Sequence, residues 1–348
     1  MNQTRTWLYK NLFSTPLNSG LTVSILYLLW LMIPPLIDWI FLQATWVGES
    51  RADCLPNEGA CWAFVHARID QFLYGLYPVA ERWRVNVAFA ILFLLFVAFF
   101  LSTVRRRWVS ALILLPYPLL AWLLFYGGSW GLETVETSQW GGLFLTLVIA
   151  GIGITASFPL GILLALGRRS ELIVIRSLSI GFIEIIRGVP LISVLFMASV
   201  MLPLFLPEGV NFDKLMRALI GITLFQSAYM AEVVRGGLQA IPKGQFEAAE
   251  SLGLGYWRTM QKIILPQALK LVIPGVVNTF IALFKDTTLV LIIGMFDFLG
   301  IVQAATTDPK WLGTAVEGYV FCAAVYWLFC FSMSRYSLRV ERKLDRGH

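Results

Sequence analysis

Repeated apolar runs, each long enough to cross a bilayer, limit what this chain can fold into. The clearest covers residues 85–104, twenty positions without a charged side chain. A spanning helix needs about 20 predominantly apolar residues. Seven further segments qualify, giving predicted spans near 21–42, 85–104, 108–126, 141–166, 178–206, 215–235, 271–293 and 313–333. Composition agrees. The chain is 58% hydrophobic and 14% charged, whereas soluble domains are near half apolar and a quarter charged. That is too little charge to coat a soluble surface, and it excludes disorder, coiled coil and a secreted disulfide scaffold. The predicted fold class is all-α, a polytopic integral membrane protein with about eight transmembrane helices.

The fifth segment is too long for a straight helix and contains Glu184, Arg187 and Pro190. Proline removes a backbone donor, so a tilted or broken helix is expected there. The net charge of +6 reads as a topology signal, because Lys and Arg collect on the cytoplasmic side. With the N-terminus inside, the cytoplasmic segments hold most of the 27 basic residues. They include Lys10, Arg105 to Arg107, Arg168, Arg169, Arg258, Lys262 and the run from Arg335 to Arg346. Both termini are therefore predicted to be cytoplasmic. The 43–84 loop carries Arg51, Arg68, Arg82 and Arg84 on the other side, but it also carries five acids and is long enough for charge counting to weaken. The first apolar segment follows a polar stretch and is long enough to span, so it reads as an anchor rather than a cleaved signal. Cys54 and Cys61 lie in the outer loop and are candidates for a disulfide, since that side is oxidising in bacteria. Cys322 and Cys330 read as packing residues in the last span. No metal-site spacing occurs.

An energy source is missing. A phosphate-binding loop needs Gly-Lys-Ser/Thr, and no lysine here follows a glycine. Nucleophile-elbow, HExxH and dinucleotide motifs are absent as well. The informative stretch is the cytoplasmic loop 236–270, GGLQAIPKGQFEAAESLGLGYWRTMQKIILPQALK. Pro242 and Gly244 break the preceding helix. Good helix formers follow over 245–252, with Glu247 in the first turn, where a carboxylate complements the helix dipole. Phe246, Ala249 and Gly253 share one stripe, and Gly253 or Gly255 can cap the helix in a left-handed conformation. A second short helix is expected over 256–264, stopped by Pro266. By composition alone this loop reads equally well as an interfacial amphipathic helix with no partner.

The spacing adds more. Glu247-Ala248-Ala249, three residues, Gly253, nine residues, Ile263, one residue, then Leu265-Pro266 resembles the cytoplasmic signature of ABC importer permeases. Glu184-Ile-Ile-Arg-Gly-Val-Pro190, Ala231-Glu-Val-Val-Arg-Gly-Gly237 and Lys285-Asp-Thr-Thr-Leu289 resemble the polar amino-acid branch of that family. The resemblance covers roughly residues 139–340. It implies a five-span type I importer core there, with a coupling helix near 245–253. Residues 1–138 would be an extension of three spans and a periplasmic loop, similar to that of a general L-amino-acid permease subunit. The implied complex contains a second, related permease subunit, two ATPase subunits that bind ATP and magnesium, and a periplasmic binding protein, all at a bacterial inner membrane. This chain would bind no cofactor itself and catalyse no reaction. Glu247, Ala248, Ala249, Leu252, Gly253 and Pro266 would couple it to the ATPase, with the two alanines allowing close approach.

Charges inside the spans are few. Lys285 and Asp286 interrupt an apolar segment, at an insertion cost of about 2.5–3.5 kcal/mol each. An amino acid carries both charges, so Lys285 could face its carboxylate, and Asp286, Thr287 or Thr288 its ammonium. Pairing with neighbouring helices explains them equally well. Glu184 with Arg187, and Glu232 with Arg235, sit three apart and suit structural ion pairs along one helix face. Asp297 and Glu317 are expected on the outer side. Two other functions fit a polytopic chain: an ion-coupled secondary transporter, or an importer permease for another polar solute such as an opine.

Overall fold

The computed structural model describes residues 2–55, 58–101, 106–205, 207 and 212–345. Its α-helices, in chain order, are α1 (Asn2–Leu12), α2 (Pro16–Ile37), α3 (Trp62–Tyr74), α4 (Arg82–Leu101), α5 (Arg106–Leu114), α6 (Pro116–Tyr126), α7 (Gly142–Arg168), α8 (Ile173–Gly188), α9 (Leu191–Phe196), α10 (Lys214–Ala240), α11 (Lys243–Ser251), α12 (Tyr256–Thr259), α13 (Leu265–Leu271), α14 (Ile273–Asp286), α15 (Phe298–Ala305) and α16 (Ala315–Asp345). No strand occurs among the described residues.

Among the described residues, six stretches are long and apolar enough to cross a membrane: Pro16–Leu42, Val79–Leu101, Arg107–Tyr126, Gly142–Arg168, Ile273–Ile293 and Ala315–Lys343. A seventh is the pair Ile173–Gly188 and Leu191–Phe205, bent by 105°. The break lies at Val189-Pro190, where proline sits at the N-cap of α9. The predicted sixth span falls within α10, whose 27 residues are long enough but include Arg217, Glu232 and Arg235. The third span is two segments joined at Leu115, because Pro116 starts α6. Residues 102–104 of the predicted second span lie outside the described residues, as do Arg105, residue 206 of the fifth span and Arg346.

The chain forms two compact units, Met1–Ile69 with Ala305–Phe321, and Asp70–Ala304 with Cys322–His348. In the first, Thr15 caps α2 by accepting from the Asn18 amide at 3.2 Å. No residue of α2 is buried. Beyond it the Cys54–Cys61 disulfide closes the loop between α2 and α3, with Cα atoms 5.6 Å apart. This loop grips the segment before α16. Arg68 pairs with Asp308, Arg51 donates to the Leu312 carbonyl at 2.5 Å, and Phe64 lies 5.6 Å from Trp311. The Cys61 amide donates to the buried Glu317 carboxylate at 3.0 Å.

The second unit is built on α7 and α10. At Gly161 of α7 the two helices come close: a Cβ there would sit 2.6 Å from the Met230 Cβ. In lipid, small residues of this kind permit the close backbone contact that holds helices together. An aromatic cluster of Phe125, Trp140 and Phe144 packs against Tyr77 and Phe89. Beside it the buried Arg84 pairs with Glu81 and donates to the Glu133 carbonyl at 2.7 Å. The buried Asp297 carboxylate caps α15, accepting from Gly300 at 2.9 Å and from the Tyr326 hydroxyl at 3.0 Å. Burial pushes its pKa up, against those hydrogen bonds.

Candidate functional site

Three features of the second unit converge on one region: the α11 surface, a cavity and a charge cluster. The α11 helix starts at Lys243, two residues earlier than expected, because Pro242 occupies its N-cap. Glu247 therefore lies in the second turn, away from the helix-dipole position. The helix ends at Gly253, whose φ of +70° is left-handed. The Gly253 amide donates to the Glu250 carbonyl at 2.8 Å and the Leu254 amide to that of Ala249 at 3.1 Å. This pair of bonds defines the Schellman cap, in which glycine avoids the Cβ penalty.

The two alanines differ. Ala249 is buried within the chain, so of the two only Ala248 is free to approach a partner. Glu247, Leu252 and Gly253 are also exposed, Leu252 at 75%. The predicted stripe holds for Phe246 and Ala249 but not for Gly253, which has turned out to form the cap. The second helix does not stop at Pro266. It continues through α12, a π turn over Met260–Ile264 and α13. Pro266 sits in the first turn of α13, where its missing N–H leaves no unmet bond, and its side chain is exposed. Gln267 ties this stretch to α11, donating to the Gln245 side chain at 3.1 Å. Partial burial raises the pKa of the Tyr256 hydroxyl, and the charge of Arg169 opposes that rise.

The cavity has a volume of about 570 Å³ and is lined by Pro190, Gln226, Tyr229, Asn278, Thr279 and Asp286, with apolar side chains completing it. Of the four residues singled out in the sequence, only Asp286 lines it. Lys285 is exposed elsewhere on the helix, as expected for neighbours about 100° apart. The hydroxyls of Thr287 and Thr288 bond to the Phe284 and Lys285 carbonyls, both at 2.9 Å. They serve the backbone where α14 tightens into a 3₁₀ turn. Gln226 donates to the Thr279 carbonyl at 2.6 Å. Sequence reasoning passed over Gln226, Tyr229, Asn278 and Thr279. Their spacing would have found them: Asn278 lies two helical turns from Asp286 on one face, and Gln226 and Tyr229 are three apart.

The expected Glu184–Arg187 pair does not form. Both residues instead turn to a hub set by Arg168, at the end of α7. Arg168 contacts Glu184 at 2.9 Å and Glu232 at 2.7 Å. Glu232 also binds Arg235 at 2.7 Å, as the spacing predicted, and approaches Arg187 at 3.7 Å. The Arg187 guanidinium lies 5.6 Å from the Tyr229 ring. No group of three or more His, Cys, Asp or Glu side chains that could hold a metal occurs among the described residues.

Residues 157–346 match the family model described as "Binding-protein-dependent transport system inner membrane component". The inner membrane amino-acid ABC transporter permease protein YhdY of Escherichia coli (strain K12) is 61% identical over 98% of this chain and 93% of its own length. The glutamate/glutamine/aspartate/asparagine transport system permease protein BztC of Rhodobacter capsulatus is 42% identical over 98% of this chain and 94% of its own. The probable glutamine permease GlnP of Bacillus subtilis is shorter: 32% identity covers 58% of this chain and 91% of that protein. Among solved structures, an amino acid ABC transporter crystallised with histidines superposes with a TM-score of 0.51 and 30% identity, over 58% of this chain and 92% of that one.

Proposed function

The chain belongs to the family of binding-protein-dependent transport system inner-membrane components, and we propose that it builds an amino-acid pathway whose helix α11 docks on a separate ATPase subunit. As a permease of the ABC type it is an inner-membrane protein. The observation that carries the docking reading is the α11 surface. Ala248, Leu252 and Gly253 stand exposed on a short helix, while Ala249 anchors that helix from behind. A Cβ at Gly253 would meet nothing within 4 Å in this chain, so the space there is open to a partner. ATP and magnesium belong to that partner, whose closure would push α11 as one body and bias the pathway between two states.

The cavity supports the substrate reading. Asp286 offers a carboxylate to the ammonium of an amino acid, and Asn278 offers hydrogen-bonding groups beside it. Lys285 has no part in this reading. A related second permease subunit completes the pathway, and a periplasmic binding protein delivers the solute. Both termini face the cytoplasm, on the same side as α11. Residues 139–340 act as the transport core and 1–138 as an extension, a division favoured by shorter permeases that match 58% of this chain over nearly all of their own length.

Energy coupling tests the reading. Proteoliposomes holding this chain alone should take up no amino acid, with or without an ion gradient. Adding the partner permease, ATPase and binding protein should give ATP-dependent uptake. Uptake by the chain alone would instead establish an ion-coupled secondary transporter. Competition by a panel of L-amino acids and opines then defines the solute.

A further inference from the structure

Arg168, the last residue of α7, and Arg169, its C-cap, point to opposite tasks. Arg168 faces the charge hub, with Glu184 at 2.9 Å and Glu232 at 2.7 Å. Arg169 faces α11. It donates to the Leu238 carbonyl at 3.2 Å and its guanidinium lies 5.4 Å from the Phe246 ring. Leu238 is in the last turn of α10, where carbonyls lack helical partners and a basic side chain is a favourable cap. Arg169 thus bolts together the ends of α7 and α10 and the first turn of α11.

The hub continues toward the cavity. Glu232 is mostly buried and holds Arg168 and Arg235 tightly, but Arg187 only at 3.7 Å. Three guanidinium groups share two carboxylates, so one cation is always undersatisfied. Arg187 is that loosest member. It sits beside the Tyr229 ring, and it immediately precedes the 105° break between α8 and α9. Pro190, at that break, and Tyr229, on α10, both line the cavity.

Resting on the reading of α11 as the docking helix and of the cavity as the pathway, we propose that Arg169 and Arg168 are positioning residues that transmit displacement of α11 to the cavity. Movement of α11 shifts Phe246 against Arg169 and with it the end of α7. Arg168 then changes its hold on Glu232, and Arg187 exchanges between Glu232 and Tyr229. The break at Val189-Pro190 is the hinge that moves the cavity wall. A static ion-pair cluster would merely hold helices together. A relay instead predicts loss of coupling without loss of assembly, and energetic coupling is the evidence such a claim requires.

The test uses the complete transporter in proteoliposomes, with ATPase retention, ATP hydrolysis and labelled amino-acid uptake measured on the same vesicles. Arg169→Gln should retain the ATPase subunit but lower uptake per ATP hydrolysed about tenfold. Arg169→Lys should recover most of that ratio, because an ammonium still reaches the ring and the carbonyl. Phe246→Leu keeps the apolar contact, removes the ring and should lower the ratio by a smaller factor. It carries the test if Arg169→Gln fails to accumulate. An unchanged ratio in these variants overturns the relay, as does release of the ATPase or a parallel fall of hydrolysis and uptake. Leu252→Asp separates the two claims. It should release the ATPase. If it binds the ATPase and imports normally, the docking reading fails. If it releases the ATPase while Arg169→Gln stays coupled, only the relay fails.

Discussion

Two spans of the chain have the same length and opposite surroundings. Pro16–Leu42 and Gly142–Arg168 are each 27 residues long, yet the most apolar stretch of the first is 0% buried and that of the second 33%. Hydropathy reports only that a segment prefers lipid to water; it does not report whether protein or lipid will surround it. The difference lies in the small residues. In α7, Gly153 meets Leu283 and Ile222, and Gly161 meets Met230. In α2 a Cβ at Gly20 would meet nothing within 4 Å. The comparison breaks most directly under Gly161→Leu, set against Gly20→Leu. The first forces a side chain into Met230 and Ala231, and overpacking of this kind costs about 1–3 kcal/mol or more. Protein in the membrane and its melting temperature in detergent should both fall sharply. Gly20→Leu should change neither. Equal effects would mean that helix packing does not distinguish these spans.

Within the second unit, a smaller effect should separate two neighbouring charges. Asp286 lines the cavity, whereas Lys285 is exposed on another face. Hydrogen bonds to charged groups contribute about 1.5–3 kcal/mol, and each 1.4 kcal/mol is roughly tenfold. Asp286→Asn should therefore cut uptake about tenfold or more at equal protein level, and Lys285→Met less than about twofold. The reverse order would move the pathway to the other face of α14.

Much of this architecture was legible beforehand, for identifiable reasons. Among the described residues the eight predicted spans overlap helices, the fifth as a bent pair, because hydropathy over about 20 residues is a strong, local signal. The break at Pro190 was visible because proline cannot continue a hydrogen-bond ladder. The continuation past Pro266 was not, because a π turn over Met260–Ile264 runs directly into α13, placing the proline in a first turn, and nothing in the local sequence announces such a turn. Ala248 and Ala249 were both expected to face a partner, but Ala249 is buried within the chain, and which of two adjacent alanines turns inward is not set by their identity. Arg168 drew notice only as a topology charge. Its partners lie 16 and 64 residues away, beyond any periodicity.

The smallest predicted effect belongs to the first unit and asks whether its disulfide-closed loop is independently ordered. Asp53 accepts from the Glu49 amide at 2.8 Å and the Ser50 amide at 3.0 Å, beside the Cys54–Cys61 disulfide. The Glu49 bond, then the Ser50 bond, lowers its pKa despite a small opposing effect of burial. A depressed carboxylate pKa stabilises the fold fully above the ordinary aspartate value of about 3.9, and that contribution is lost as pH falls through the folded value. Hydrogen exchange over residues 48–55 should therefore follow the intrinsic pH trend from neutrality down to about pH 4 and exceed it only below. Asp53→Asn should exchange a few-fold faster at pH 7, because a neutral amide accepts these bonds less strongly than a carboxylate. The disulfide limits the effect, since it still closes the turn. Identical exchange in the variant would show that the disulfide alone orders this loop.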